Sequence, residues 1–145
     1  MPNAILLANL LVTAYLTGLI WCIQIVHYPL FVDVGQASFP RYHLRHTGRI
    51  TAVVAAPMVA ELLLSAALIA THPATFFTPL AWVCAALSLL TWISTAALSV
   101  PLHNLLGTGY DARTIDRLVA TNWPRTVAWS ARLILLAWGT WATFP

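Results

Sequence analysis

Hydrophobic positions along the chain gather into four long runs, roughly Ala4–Tyr28, Arg49–Thr71, Pro79–Val100 and Trp123–Phe144. Each holds about the 20 residues with which an α-helix crosses a hydrocarbon core. None alternates with the period of two that a membrane barrel demands. The pattern predicts an all-α chain, a single-domain integral membrane four-helix antiparallel bundle. Its helices are expected over roughly 4–28, 40 or 49–71, 79–106 and 122–144. The first run is too long for the apolar segment of a signal peptide, so it is expected to remain as a helix.

The polar stretches between the runs mark the helix ends. Pro29 disfavours helix in the residue before it and places the end of the first helix near His27-Tyr28. Ser38 resembles an N-cap, with Pro40 near the first helical position. A helix unbroken from Pro40 to Thr71 would be about 48 Å long at 1.5 Å per residue. That exceeds a bilayer core, so its first turns should project, or a bend should fall near Gly48; Pro57 is a second candidate kink. The third loop is expected over roughly His103–Thr121, with Gly107 and Gly109 ending a helix. Asn122 then reads as a cap, with Pro124 in the first turn.

Composition sets the compartment. Of 145 residues, 60% are hydrophobic and 8% charged. A soluble domain carries about 25% charged residues. All seven basic residues are arginine, and none of them points to nucleic acid, because they flank helix ends. An antiparallel arrangement puts Arg41, Arg45 and Arg49 on the same side as Arg113, Arg117 and Arg125, whereas the second loop has no arginine. The positive-inside rule then places loops 1 and 3 in the cytoplasm and both termini outside, as in a bacterial inner membrane. Trp82, Trp138 and Trp141 would form an outer aromatic belt. Cys22 and Cys84, inside apolar runs, read as small core residues.

The same topology gathers histidines. His27 ends the first helix, His43 and His46 open the second at i, i+3 spacing, and His103 ends the third. All four arrive at one end of the bundle; His72 is at the other. Imidazole is a common ligand of zinc, copper and iron, and bundle sites draw inward side chains from several helices. A transition metal held by His27, His43, His46 and His103 is therefore expected, iron or copper ahead of zinc, with heme less favoured. The alternative is a set of interfacial histidines. Arg45, Arg49 and Arg125, with Gln24 one turn before His27, surround the same end. They would hold a substrate or an anionic headgroup, since guanidinium suits phosphate and carboxylate.

Two charges fall inside the apolar runs. Glu61 lies about 18 Å past Arg49 and Arg132 about 15 Å past Asn122 at 1.5 Å per residue, so both reach similar depth. Intramembrane charges are functional candidates by default. Glu61 and Arg132 are expected to pair, either as a structural ion pair or to serve catalysis, with Glu61 moving protons and Arg132 holding its charge. Ser88, Thr91, Thr95 and Ser99 share a helical face, which ordinary interhelical hydrogen bonding explains.

The segments VPLHNLL, Val100–Leu106, and NWPRTVAWSAR, Asn122–Arg132, resemble the small four-helix membrane proteins related to anthrone oxygenases. Pro101, Asn104, Asn122 and Arg125 carry the resemblance. It implies oxidation of a hydrophobic substrate with molecular oxygen. The expectation is thus a metal-dependent membrane oxidoreductase that meets lipids and a hydrophobic small molecule, with a homo-oligomer left open. The alternatives are a non-catalytic subunit binding lipid, quinone or heme, and a small transporter or channel subunit.

Overall fold

The computed structural model describes residues 2–74 and 76–143. Among them there is no strand. The long elements are α1 (Pro2–Cys22), α2 (Phe39–Thr71), α3 (Thr78–Ser94) and α5 (Ala112–Thr143), with the short α4 (Val100–Gly107) continuing the line of α3. Phe144, expected at the end of the last helix, lies outside the described residues.

Contacts order the four rods in a ring. α1 packs against α2 and α5, and α3 packs against the same two helices. α1 and α3 are diagonal, as are α2 and α5. One cluster of the core, around Leu16, Ile20, Met58 and Trp129, lies toward the histidines. The other, around Leu6, Leu68, Phe76 and Leu136, lies toward the termini. There the helices approach closely at Gly139, where an added Cβ would overlap the Phe76 ring and stand 3.2 Å from Leu80 Cδ2.

Three stretches are long and apolar enough to cross a membrane: Pro2–Asp33, Phe39–Thr71 and Thr78–Gly107. α5 falls short of that measure because it carries its polar residues inward. Asn122, Arg125, Thr126 and Arg132 are buried, while Val127, Ile134, Trp138 and Trp141 are exposed. From Trp123 onward its exposed residues are apolar.

Several boundaries differ from those expected. The first helical line does not stop at Tyr28. It passes through a π turn, Ile23–His27, into a 3-10 turn, Pro29–Asp33. α2 has no break at Gly48 and runs 33 residues, about 50 Å at 1.5 Å per residue. Ser38 precedes it but does not cap it; its hydroxyl donates to the Gly35 carbonyl at 2.9 Å. α5 begins at Ala112, ten residues before Asn122. Asp111 caps it, accepting from the Thr114 amide at 2.9 Å. Asn122 and Pro124 therefore sit inside a continuous helix. Both cysteines are free; Cys84 is buried as expected, whereas Cys22 is exposed.

Candidate histidine site

The end of the molecule at which α2 begins is built around Phe31. The 3-10 turn carries this ring into the interior, fully buried. Its centre lies 5.3 Å from the His27 ring, 5.0 Å from His46 and 6.1 Å from His43, each at a steep edge angle. Phe39 stacks on His43 at 5.7 Å and meets Phe31 edge-on at 6.1 Å. The aromatic packing holds the imidazoles in fixed orientations.

His27, His43, His46 and His103 come together as the topology predicts. Ring centres are 4.5 Å apart for His27 and His46, 5.2 Å for His43 and His103, 5.7 Å for His46 and His103, and 6.2 Å for His43 and His46. They bond in pairs. His27 Nε2 and His46 Nδ1 share a hydrogen bond of 2.7 Å, and His43 Nε2 and His103 Nδ1 one of 3.0 Å. His103 Nε2 also lies 2.9 Å from the Tyr28 hydroxyl. His46 Nε2 is buried with no partner. Among the described residues no three His, Cys, Asp or Glu side chains converge on a point that would seat a metal ion. His72 bonds instead within the loop before α3, to Thr78.

Three hollows touch the cluster, one of them, about 570 Å³, against His43 and His103 on the Arg41 side. A cavity of about 260 Å³ is lined mainly by apolar residues of α1 and α2, such as Leu16, Ile20, Val54 and Met58. Its polar wall is His103, Tyr28, Ser99, Asn104 and Arg125. Another, about 440 Å³, has His27 and His46 on one wall and Arg45 and Arg49 beside them. Both arginines are exposed and, among the described residues, form no ion pair.

Gln24 and Arg125 belong to a buried polar network under the cavity. Gln24 Nε2 donates to the Val119 carbonyl at 3.1 Å, and its oxygen accepts from Asn122 at 2.8 Å and Thr126 at 3.3 Å. Gln24 therefore ties the π turn Ile23–His27 to α5 and does not reach the histidine rings through these bonds. Arg125 donates to Asn122 Oδ1 and, at 3.3 Å, to Thr95 Oγ1.

Glu61 and Arg132 pair as their matched depth predicts, at 3.1 Å and with neither side chain exposed. The bond crosses the diagonal from α2 to α5. Thr13, Ser88 and Trp129 also donate to the Glu61 carboxylate, each at 3.1 Å. The Arg132 guanidinium reaches the Cys84 carbonyl at 3.0 Å, Asn9 at 2.6 Å and Ser65 at 2.9 Å. Of the helical face, Ser88 and Thr95 bond across helices as expected, to Glu61 and from Arg125, while Thr91 bonds back within its own helix.

Sequence reasoning missed Tyr28, Phe31, Phe39 and Trp129. Tyr28 and Phe31 follow His27 closely, but they enter the site only because the chain stays helical past Pro29. Trp129 shares a helical face with Arg125 and Arg132 by spacing alone; its bond to Glu61 needed the rotational setting of α5. No family model, curated protein or solved structure matches the chain.

Proposed function

We propose that this chain is an integral membrane oxidoreductase, an antiparallel four-helix bundle that acts on a hydrophobic small molecule beside a histidine-held transition metal. The observation that carries this reading is that His103 belongs both to the four-imidazole cluster and to the wall of the apolar cavity. A molecule in that cavity lies against the histidines.

The donor types suit a transition metal, and seating one asks the rings to move, because no three of them now converge on a point. Imidazoles that share an ion at about 2.0–2.1 Å have ring centres within about 6 Å of one another. Three of the six ring pairs lie within that limit, at 4.5, 5.2 and 5.7 Å, and His43–His46 lies just beyond it at 6.2 Å. The buried, unpartnered Nε2 of His46 is the kind of atom a ligand satisfies. Ligation would replace the two imidazole–imidazole hydrogen bonds and would require the rings to turn against Phe31 and Phe39. Bound there, iron or copper would supply the redox chemistry with molecular oxygen that the family resemblance implies; zinc would not.

The chain's own residues supply the rest. Phe31 and Phe39 exclude water from the rings. Tyr28 holds a proton at the His103 Nε2 edge of the cavity. Trp129 joins the cavity wall to Glu61, so the Glu61–Arg132 pair sets the position of that wall. Arg45 and Arg49 stand where anionic lipid headgroups meet the cytoplasmic face.

Elemental analysis of detergent-purified protein tests the reading. Iron or copper near one equivalent is expected. Each of His27→Ala, His43→Ala, His46→Ala and His103→Ala should lower it, and His72→Ala should leave it intact. Monodisperse, folded protein with no transition metal would overturn it. The second reading, a non-catalytic subunit that binds a lipid or quinone, is favoured by the mutual pairing of the imidazoles, which satisfies four of the eight ring nitrogens without an ion, the Tyr28 hydroxyl meeting a fifth.

A further inference from the structure

Arg125 is 7% exposed, and among the described residues its charge has no counterpart. The described residues contain one ion pair, and it belongs to Arg132 and Glu61. The partners of Arg125, Asn122 and Thr95, are neutral, and its Nε is buried with no hydrogen bond. Leaving a guanidinium uncompensated in a low-dielectric interior costs several kcal/mol. Ser99, 2% exposed, is in the same condition: its hydroxyl is buried without a partner. Both residues line the apolar cavity of about 260 Å³. Two unsatisfied polar groups on one wall of an otherwise greasy hollow mark where a ligand's polar head belongs.

We infer that the cavity binds a hydrophobic monoanion, a carboxylate carrying an apolar tail, with the head between Arg125 and Ser99. This rests on the reading that the cavity receives a hydrophobic molecule, and it names the chemical class. The charge decides between heads. One guanidinium balances one negative charge, and a phosphate monoester would leave a second one uncompensated against an apolar wall. The shape agrees. A carboxylate offers two oxygens in a plane, which a guanidinium receives side-on through Nε–H and one Nη–H. The free Nε of Arg125 and the Ser99 hydroxyl, both shut off from the cavity as the side chains now lie, meet such a head after a turn of those two side chains. The tail then lies along Leu16, Leu19 and Ile20 of α1 and Ile50, Val54 and Met58 of α2. His103, on the same wall, faces the ligand near its head.

Equilibrium binding of radiolabelled decanoate, decanol and decyl phosphate to the detergent-solubilised full chain tests this. Decanoate should bind at least tenfold more tightly than decanol, and more tightly than decyl phosphate. Arg125→Gln should erase the preference for decanoate over decanol and leave decanol binding unchanged. Equal binding of decanoate and decanol to the wild type, no binding of either, or a preference that survives Arg125→Gln would overturn the proposal. Tighter binding of decyl phosphate would overturn it in favour of a phosphate head. If Arg125→Gln does not yield monodisperse protein, Ser99→Ala replaces it. Weaker decanoate binding with decanol unchanged supports the assignment, and an equal effect on both, or none on either, overturns it. Metal content, measured on the same samples, separates the two readings. Metal-free protein that discriminates decanoate from decanol removes the metal and keeps the carboxylate site. Metal-loaded protein that does not discriminate removes only the carboxylate site.

Discussion

Glu61 accepts from four side chains on three other helices: Thr13 of α1, Ser88 of α3, and Trp129 and Arg132 of α5. Every strong acceptor direction of the carboxylate is used, and Arg132 is equally well held. Such a pair strongly resists loss of one member, because the survivor is left charged and buried. Glu61→Gln is expected to destabilise the protein by about 3–5 kcal/mol in reversible unfolding from detergent. Glu61→Gln combined with Arg132→Gln should cost less than the sum of the two, with a coupling of about 0.5–3 kcal/mol. Additive effects would mean that the partnership contributes nothing beyond its members. The pairing was legible in the sequence because helical rise alone sets depth. Thr13, Ser88 and Trp129 were not legible as partners, because they depend on how each helix is rotated about its axis.

Two π turns, Ile23–His27 and Thr95–Ser99, decide how the helix ends are aimed. Each closes on the residue before a proline: the Tyr28 amide bonds the Ile23 carbonyl, and the Val100 amide bonds the Thr95 carbonyl. Pro29 and Pro101 cannot donate, and their rings crowd the carbonyl four residues back. Widening the preceding turn relieves both problems without ending the helix. The added residue shifts the phase of the next turns by about 100°, which turns Tyr28 and His103 toward each other. Proline in a sequence signals a stop, and here the chain accommodates it. The start of α5 differs from its expected place for a related reason, since Asn122-Trp-Pro124 has the look of a helix opening. The true cap is Asp111, whose carboxyl is held below the usual carboxylate range by the hydroxyl and amide of Thr114. Its folded pKa thus lies under the unfolded value, about 3.9. The stabilisation is complete above that value and is lost as pH falls through the folded pKa. Asp111→Ala should lower the melting temperature by a constant amount at neutral and mildly acidic pH, and the gap should close below about pH 4. A gap unchanged in acid would mean that the carboxylate charge is not what caps the helix.

Across the whole molecule, the arginines lie asymmetrically along the rods. Arg41, Arg45, Arg49, Arg113 and Arg117 gather at the end that carries the histidine cluster, and Trp138 and Trp141 are exposed toward the other. With both termini at the tryptophan end, the positive-inside rule predicts that they lie outside the cytoplasm. A reporter that is active only outside, fused after the last residue, should show activity. Activity from a cytoplasm-only reporter would invert the orientation and move the histidine cluster to the outer face.

By itself the sequence determined the helical class, the gathering of four histidines at one end and the depth match of Glu61 with Arg132. All three come from hydropathy, alternation of direction and a fixed rise per residue, which are properties of one helix at a time. Tertiary structure decided what those residues touch. The imidazoles bond to each other in pairs, Phe31 enters among them, and the Arg125 Nε and the Ser99 hydroxyl are left without hydrogen bonds in residues that line a cavity. These outcomes depend on the rotation of each rod, on two turns widened before prolines, and on the order of the rods in the ring. A linear pattern does not encode those variables separately; packing of all four helices against one another sets them at once.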